Sequence, residues 1–306
     1  MRDLGVVEAL GDLLPEAAVP VFALLTQLGD IWLFFAVLSF LYWFGDRLPG
    51  LALDRRRAAL AIALALGALS LTIALKGLFG LPRPPNPGIA DLQYVPDLLY
   101  GPYVAATTAS GYGFPSGHAL GTTVVWGGLA VVLDASTPRR RALAAGTIVG
   151  VVSLTRVVLG VHYAVDVLAG IAVGLGYLAV VFGLAGGRTR PALWIAVAVA
   201  VGAVAIGGPT FDDAAALGAT VGAAATWELV RGAVAAGPVT RTGGLLATAV
   251  GFPAFGGLFV AVYALEPPFV PTVATSAVVI AGTLALPLAT DRVGERLAPA
   301  GAVEAR

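Results

Sequence analysis

Long stretches without a charged side chain restrict the fold of this chain more than any other feature. Residues 191–208, 243–265 and 269–290 contain no Asp, Glu, Lys or Arg. Each stretch is close to the ~20 apolar residues that an α-helix needs to cross a bilayer. Only 12% of the 306 residues are charged, and the mean hydropathy is +0.90. The sequence therefore predicts an all-α, polytopic membrane protein.

Apolar segments recur along the whole chain and predict about nine crossings. The first is interrupted by Gln27 and Asp30. As one helix it would be about 42 Å long, against ~30 Å of hydrocarbon, so its first half is a candidate interfacial helix. Residues 4–13 carry leucine and valine at helical spacing and predict another short interfacial helix. The predicted crossings are residues 18–45, 58–79, 117–133, 142–159, 164–186, 191–208, 214–230, 243–265 and 269–290.

The arginines predict how the bundle is oriented, because Lys and Arg near span ends are retained in the cytoplasm. Fourteen arginines follow spans one, three, five, seven and nine, and therefore lie on one face. The opposite face carries the connections 80–116, 160–163 and 209–213. This asymmetry predicts a cell-membrane protein with its N-terminus outside and its C-terminus in the cytoplasm.

Composition also excludes several classes of function. The 18 basic and 18 acidic side chains balance, so no net positive field gathers nucleic acid. The chain has no cysteine, which removes thiolate metal sites, disulfides and cysteine nucleophiles. No cluster of His, Asp and Glu has metal-ligand spacing, and we expect neither a metal nor another cofactor.

The connection 80–116 is the only long loop between predicted spans, and loops of this length usually have a function or are disordered. Several of the few ionisable side chains of the chain lie in it or at the same predicted outer ends of spans two to five. Ionisable groups at membrane boundaries are functional candidates, although any single one can be an anchor that reaches the interface. The set comprises Lys76, Arg83, His118, Arg156 and His162.

Two local motifs suggest what this set does. Pro115 and Ser116 are start signals for a helix, and Gly117 lets a ligand approach the free N–H groups there, which form an anion site. His162 and Asp166 are four residues apart, so on a helix the carboxylate can hold one ring N–H. A capped helix start and a structural Asp–His pair are the alternatives. Arg156 reaches the same ligand only if the chain turns near Gly160.

Three cations that converge with a helix N-terminus favour a compact, multiply charged anion, and phosphate is the natural ligand. In such a site the cations replace the magnesium of many phosphoryl-transfer enzymes. His162, oriented by Asp166, can attack phosphorus as the neutral ring. His118, which has no carboxylate close to it in sequence, can protonate the leaving oxygen.

Three motifs follow one another along the chain. They are Lys76 with Arg83 and Pro84, the run Pro115-Ser116-Gly117-His118, and the run from Thr155 to Asp166. The pattern resembles the type-2 phosphatidic acid phosphatase superfamily over residues 18–187. The resemblance implies a six-helix core with an extracytoplasmic site, in which His162 is the nucleophile, His118 the acid and Asp166 the partner of His162. It further implies that phosphate is bound by Lys76, Arg83, Ser116, Gly117 and Arg156.

One position departs from the pattern, because Thr155 replaces the usual serine, and we expect its hydroxyl to keep the hydrogen bond. The chain divides in this interpretation into a phosphatase-like core, residues 1–187, and further membrane helices of unknown role, residues 188–306. The predicted function is a metal-independent phosphatase of a lipid phosphomonoester or diphosphate, such as phosphatidate, phosphatidylglycerol phosphate or a polyprenyl diphosphate. A lipid phosphotransferase with the same phosphohistidine intermediate and a non-enzymatic lipid flippase or carrier are the alternatives.

Overall fold

A computed structural model describes residues 5–7, 9, 15–51, 53–85, 95–236 and 240–297, and this part of the chain is helical. Most of the interfacial helix predicted over residues 4–13 lies outside these ranges. The helices are α1 (Val19–Thr26), α2 (Ile31–Phe44), α3 (Arg55–Phe79), α4 (Tyr100–Thr107), α5 (Gly117–Val132), α6 (Pro138–Val158), α7 (Ala164–Leu184), α8 (Thr189–Gly207), α9 (Phe211–Ala236), α10 (Arg241–Gly251), α11 (Gly257–Leu265) and α12 (Phe269–Leu297). A π-helical turn, Phe252–Gly256, joins α10 to α11.

The described helices make the chain a multi-pass membrane protein, but they do not confirm nine crossings. Six are long and apolar enough to cross a membrane, counting Arg241–Leu265 as one, and the bent pair around Asp30 brings the number to seven. The pair Val19–Gly29 and Ile31–Arg47 is bent by 49°. Helix α5 has 16 residues, about 24 Å, which is short for a crossing.

Helix α9 is long enough to cross but is not among the six apolar helices. Its length includes four charged residues, Asp212, Asp213, Glu228 and Arg231, which lower its mean hydropathy. The face that packs inside the bundle consists largely of alanine. Ala214, Ala215, Ala216, Ala219, Ala223 and Ala224 are all buried. A helix covered by other helices needs small side chains for close approach more than it needs a lipid-facing apolar surface.

Helix α3 lies in the centre of the bundle and contacts α2, α5, α8 and α9. It begins where the Asp54 carboxylate accepts the Arg57 backbone N–H at 2.9 Å, an N-terminal cap. It ends at Gly80, whose φ of +58° is the left-handed conformation that glycine adopts without a steric penalty. Two-thirds of the residues in its most apolar 18-residue segment are buried inside the protein. The helix therefore connects the two ends of the molecule, with Arg55 at one end and Lys76 near the other.

Ion pairs and hydrogen bonds connect the Arg55 end of α3 to other helices. At the Arg55 end, Arg57 forms an ion pair with Asp134 at 2.5 Å, and the Thr189 hydroxyl donates to the Arg56 carbonyl at 2.9 Å. The buried Arg55 guanidinium also pairs with Asp291 of α12. These contacts tie helices on both sides of residue 188 into one packed core, and the division of the chain at that residue stays a prediction.

Glycine lets α9 and α12 come into backbone contact. A Cβ atom at Gly218 would lie 2.2 Å from the Val273 carbonyl oxygen, and one at Gly222 would lie 2.6 Å from the Ala277 Cα. These two glycines are one turn apart and therefore face the same neighbour, the small-residue pattern that lets membrane helices approach closely.

Candidate active site

The first part of the site is the start of α5, and the predicted cap is confirmed. The buried Ser116 hydroxyl accepts the Ala119 backbone N–H at 3.4 Å, so the helix begins at Gly117. A Cβ atom at Gly117 would lie 2.9 Å from Cγ2 of Thr72 on α3. Glycine thus permits the close approach of α5 to α3, and His118 follows it in the first turn.

The second part is the turn between α6 and α7, which the sequence predicted near Gly160. Helix α6 ends at Val158, and Gly160 has a φ of +67°. The backbone N–H groups of Val161 and His162 both donate to the Arg156 carbonyl at 3.2 Å. This turn brings His162 back beside Arg156, although the two are six residues apart. His162 precedes α7, so the expectation that His162 and Asp166 share a face of one helix is wrong, while their proximity is observed.

The His162 ring is buried between a cation and a carboxylate. Its side chain is 2% exposed, and Nε2 lies 2.9 Å from Nη1 of Arg83. On the other side Nδ1 lies 3.6 Å from Oδ2 of Asp166, a buried carboxylate that also accepts the Tyr163 backbone N–H at 3.1 Å. Burial, and then the positive charges of Arg83, Arg156 and Lys76, lower the pKa of His162 well below its ordinary value.

The contact with Arg83 favours one tautomer of the ring. A guanidinium only donates hydrogen bonds, so Nε2 of His162 accepts from Arg83 through its lone pair. The ring is then neutral, and its proton lies on Nδ1, which faces Asp166. A neutral imidazole with the Nε2 lone pair facing an anion-binding group has the protonation state that a nucleophile requires.

Backbone carbonyls hold the Arg83 side chain in place. Its Nε donates to the Ser110 carbonyl and its Nη1 to the Val161 carbonyl, each at 3.0 Å. Both acceptors lie in connections that flank the site, and Arg83 itself follows the end of α3. The guanidinium is thereby fixed beside His162 through bonds that a single ammonium group could not reproduce.

Arg156 approaches from α6 and is 3% exposed. Its Nη1 donates to the Thr26 hydroxyl of α1 at 2.8 Å and to the Ala106 carbonyl at 3.4 Å. Within the described part of the chain, its buried Nε has no hydrogen-bond partner. A buried guanidinium N–H without an acceptor costs free energy unless a ligand accepts it, which is consistent with an anion site. The neighbouring Thr155 hydroxyl donates to the Val152 carbonyl at 2.6 Å, within its own helix.

His118 has a carboxylate neighbour that the sequence interpretation missed. Its Nε2 lies 3.9 Å from Oδ2 of Asp30, at the bend between α1 and α2. A second missed residue is Asp212 of α9, whose charge acts on Lys76. Asp30 interrupts an apolar segment, and Asp212 lies at the start of one. An ionisable residue within or at the end of a membrane segment is itself a signal of function. The partners of these two residues could not be predicted, because they are far away in sequence.

The structure therefore brings the predicted residues to one end of the bundle. The charges of Lys76, Arg83 and Arg156 act on both His118 and His162, and His162 also acts on His118. The Ser116 backbone N–H donates to the Asp166 carbonyl at 2.9 Å, which links the α5 start to the α7 start. Among the described residues, no group of three or more His, Cys, Asp or Glu could hold a metal ion.

A helical membrane bundle with three cations around a buried His–Asp pair defines a class of membrane-embedded enzymes that act on phosphate esters. Comparison with known proteins gives the family. Residues 57–190 match the PAP2 superfamily, a segment that contains every predicted site residue from Lys76 to Asp166. The chain belongs to this superfamily and is a phosphoric ester hydrolase, as the sequence motifs predicted.

Two curated relatives support this assignment. Each is named decaprenylphosphoryl-5-phosphoribose phosphatase, one from Mycobacterium tuberculosis strain CDC 1551 and one from strain H37Rv. The chain is 33% identical to each over 145 residues, which cover 47% of this chain and 71% of the relative. No solved structure gives a significant match to the chain.

Proposed function

We propose that the protein is a metal-independent lipid phosphatase that forms a phosphohistidine on His162. The observation that carries the proposal is the position of this ring, which has Arg83 at 2.9 Å from Nε2 and Asp166 at 3.6 Å from Nδ1. The lowered pKa keeps the ring neutral at neutral pH. In the first step the Nε2 lone pair attacks phosphorus, and the bond from phosphorus to the leaving oxygen breaks. Asp166 stabilises the positive charge that develops on the ring.

The phosphate oxygens are bound by Arg83, Arg156 and Lys76, with hydrogen bonds from Ser116 and Gly117 at the start of α5. In this interpretation Arg83 donates to a phosphate oxygen when substrate is bound, and the Nε2 lone pair becomes available for attack. Fixed cations that face the developing charge lower the barrier, because they need no reorganisation during the reaction. They take the part that Mg²⁺ has in many phosphoryl-transfer enzymes.

His118 supplies the proton to the leaving oxygen in this proposal. The Asp30 carboxylate, 3.9 Å from Nε2, stabilises the protonated form of the ring. A water molecule then attacks phosphorus, the bond between phosphorus and Nε2 of His162 breaks, His118 accepts a proton from the water, and phosphate leaves. One histidine therefore acts as the nucleophile, and the other acts first as the acid and then as the base.

A lipid is the proposed substrate, with a single terminal phosphate or a diphosphate. The name of the two relatives supports a polyprenyl-linked phosphate, and the apolar helices around the site support an amphiphile whose chain stays within the bundle. The distribution of arginine supports an extracytoplasmic site. The end of the bundle that contains Arg55, Arg56 and Arg57 would face the cytoplasm, with the C-terminus, and the N-terminus would lie outside.

The two histidines provide matched variants for the test. Purified protein in excess EDTA should release phosphate from geranylgeranyl phosphate, and His162→Ala should abolish the release. With labelled p-nitrophenyl phosphate, whose leaving group needs little protonation, His118→Ala should still accumulate an acid-labile phosphoprotein and His162→Ala should not. Labelled His162→Ala protein would refute the assignment of the nucleophile.

The same preparation tests the two alternatives. Transfer of label to an added alcohol in preference to water would support a phosphotransferase. Lipid movement across liposomes that persists in His162→Ala, together with no phosphate release by the wild-type protein, would support a flippase or carrier. Loss of all activity in EDTA, restored by a divalent metal, would contradict the metal-independent mechanism.

A further inference from the structure

A cavity of about 310 Å³ lies directly beside the proposed site. Its polar end is formed by Lys76, Gly117 and His118, together with the carboxylate-bearing residues Asp30 and Asp212. Three of these five belong to the phosphate-site motifs. The cavity is therefore continuous with the place where the phosphate would bind, and its volume is within the ~300–1,000 Å³ typical of ligand pockets.

Away from this end the cavity is lined mainly by apolar side chains. Along α3 the lining runs from Lys76 through Leu69 to Ile62. Ile62 lies fourteen residues before Lys76, which is about 21 Å along the helix axis at ~1.5 Å per residue. The lining thus changes from charged to apolar in one direction along α3, which is the polarity of an amphiphile with a charged head and one long apolar part.

Much of the opposite wall comes from helices that follow the family segment, which ends at residue 190. Ala215 and Ala219 line the cavity from α9, Phe259 from α11, and Val279 and Ile280 from α12. The family match therefore accounts for the α3 and α5 walls and leaves these three helices without an assigned role.

The space beside α9 is not explained by loose packing of this helix. Gly218 and Gly222 bring α9 into backbone contact with α12, while Ala215 and Ala219 of the same helix line the cavity. Protein interiors contain few voids larger than a water molecule. A large apolar space between helices that otherwise pack this closely indicates a binding site. The small side chains at positions 215 and 219 keep that space open.

We propose that α9, α11 and α12, together with α2 and α3, form a binding site for the hydrocarbon chain of the substrate lipid. This inference rests on the proposed function for the identity of the charged head. It gives residues 211–297 a role that the phosphatase motifs do not supply. The chain lies along α3, and the phosphate lies at Lys76 and His118.

The test fills the cavity from α9. Ala219→Phe places a ring in the cavity, and Ala225→Phe makes the same change at an exposed position of the same helix. With geranylgeranyl phosphate we expect Ala219→Phe to lower kcat/KM about tenfold or more, mainly through KM, because several buried methylene contacts are lost. With p-nitrophenyl phosphate, which has no chain, we expect the variant to match the wild-type protein. Ala225→Phe should leave both substrates unchanged.

A smaller substitution keeps the test possible if Ala219→Phe does not fold. Ala215→Leu should then give the same selective loss.

A binding measurement separates this inference from the proposed function. Native mass spectrometry can measure the binding of geranylgeranyl phosphate to His162→Ala protein, and this measurement requires no catalysis. If the lipid binds but the wild-type protein does not hydrolyse it, the proposed function fails and the chain site stands. If the cavity variants of His162→Ala bind the lipid as tightly as their parent, the chain site is refuted.

Two sources of the chain are distinguished in the same assay. Palmitoyl lysophosphatidate carries a fatty-acyl chain, and geranylgeranyl phosphate carries an isoprenoid chain. Both should lose kcat/KM in Ala219→Phe, because the cavity recognises the apolar chain, and the wild-type preference between them identifies the natural class. Equal losses for p-nitrophenyl phosphate and the two lipids would show that the substitution damages the catalytic site, and would overturn the inference.

Discussion

Replacement of Arg83 by glutamine tests how the charge environment prepares His162. The guanidinium lies 2.9 Å from Nε2 and is, after burial, the largest cause of the low pKa of this ring. The amide is shorter and neutral, so the substitution removes a phosphate-binding cation and a charge that opposes ring protonation. Two effects follow from one change, and they appear in different parts of the pH profile.

The magnitude of each effect can be estimated. Loss of one preorganised charge at a phosphate site typically lowers the rate about 10²- to 10³-fold. The two charge centres are about 4 Å apart, where the repulsion is ~1 kcal/mol in water and ~4 kcal/mol at an effective dielectric constant near 20. The pKa of His162 rises in the variant. As the pH falls, the nucleophile therefore becomes protonated, and activity is lost, at a higher pH than in the wild-type protein.

The assay is kcat/KM against pH with p-nitrophenyl phosphate, since this quantity reports ionisations of the free enzyme. The ionisation of the substrate contributes equally to both profiles, so the displacement of the acid limb isolates the enzyme. Arg190→Gln is the matched control, because Arg190 forms a largely exposed ion pair with Glu228 near the other end of the bundle. An unchanged acid limb in Arg83→Gln, or an equal displacement in Arg190→Gln, would refute the reasoning.

Two further predictions concern the acid and the packing of the bundle. Asp30→Asn should lower the hydrolysis of an alkyl phosphate about tenfold and spare p-nitrophenyl phosphate, since the carboxylate helps His118 protonate a poor leaving group; equal losses for the two substrates would contradict this role. Gly222→Leu should destabilise the protein by about 1–3 kcal/mol or more, because its side chain meets the α12 backbone, whereas Gly232→Leu meets no neighbouring atom. Thermal unfolding in the same detergent compares the two, and similar midpoints would argue against close packing of α9 on α12.

The family and its motif residues could be predicted from the sequence because each motif is local. The Ser116 cap and the glycine turn at Gly160 depend on residues within a few positions of each other, and the structure has both. The number of crossings could not be predicted in the same way. An apolar segment in the sequence does not give the length of the helix that contains it, and α5 has only 16 residues, while α9 includes charged residues along its length. Nine apolar segments therefore did not become nine confirmed spans.

Partners that are distant in sequence were decided by the tertiary structure. Asp30 reaches His118 only because the chain bends by 49° between α1 and α2, and Thr26 reaches Arg156 for the same reason. No spacing rule connects residues that are more than eighty positions apart. The sequence therefore shows that Asp166 is close to the proposed nucleophile, because it lies four residues after His162. It does not show that Asp30 is close to the proposed acid, His118.

The sequence by itself determined that this is a helical membrane protein of the phosphoric ester hydrolase class, and it contains the cations and imidazoles to which we assign the site. These properties follow from composition and from short-range spacing, which act before the chain is folded. Only the tertiary structure decided which side chain lies at Nε2 of His162 and which helices enclose the apolar space beside Lys76. Both depend on the packing of helices from separate parts of the chain, where a few ångströms decide whether two groups interact.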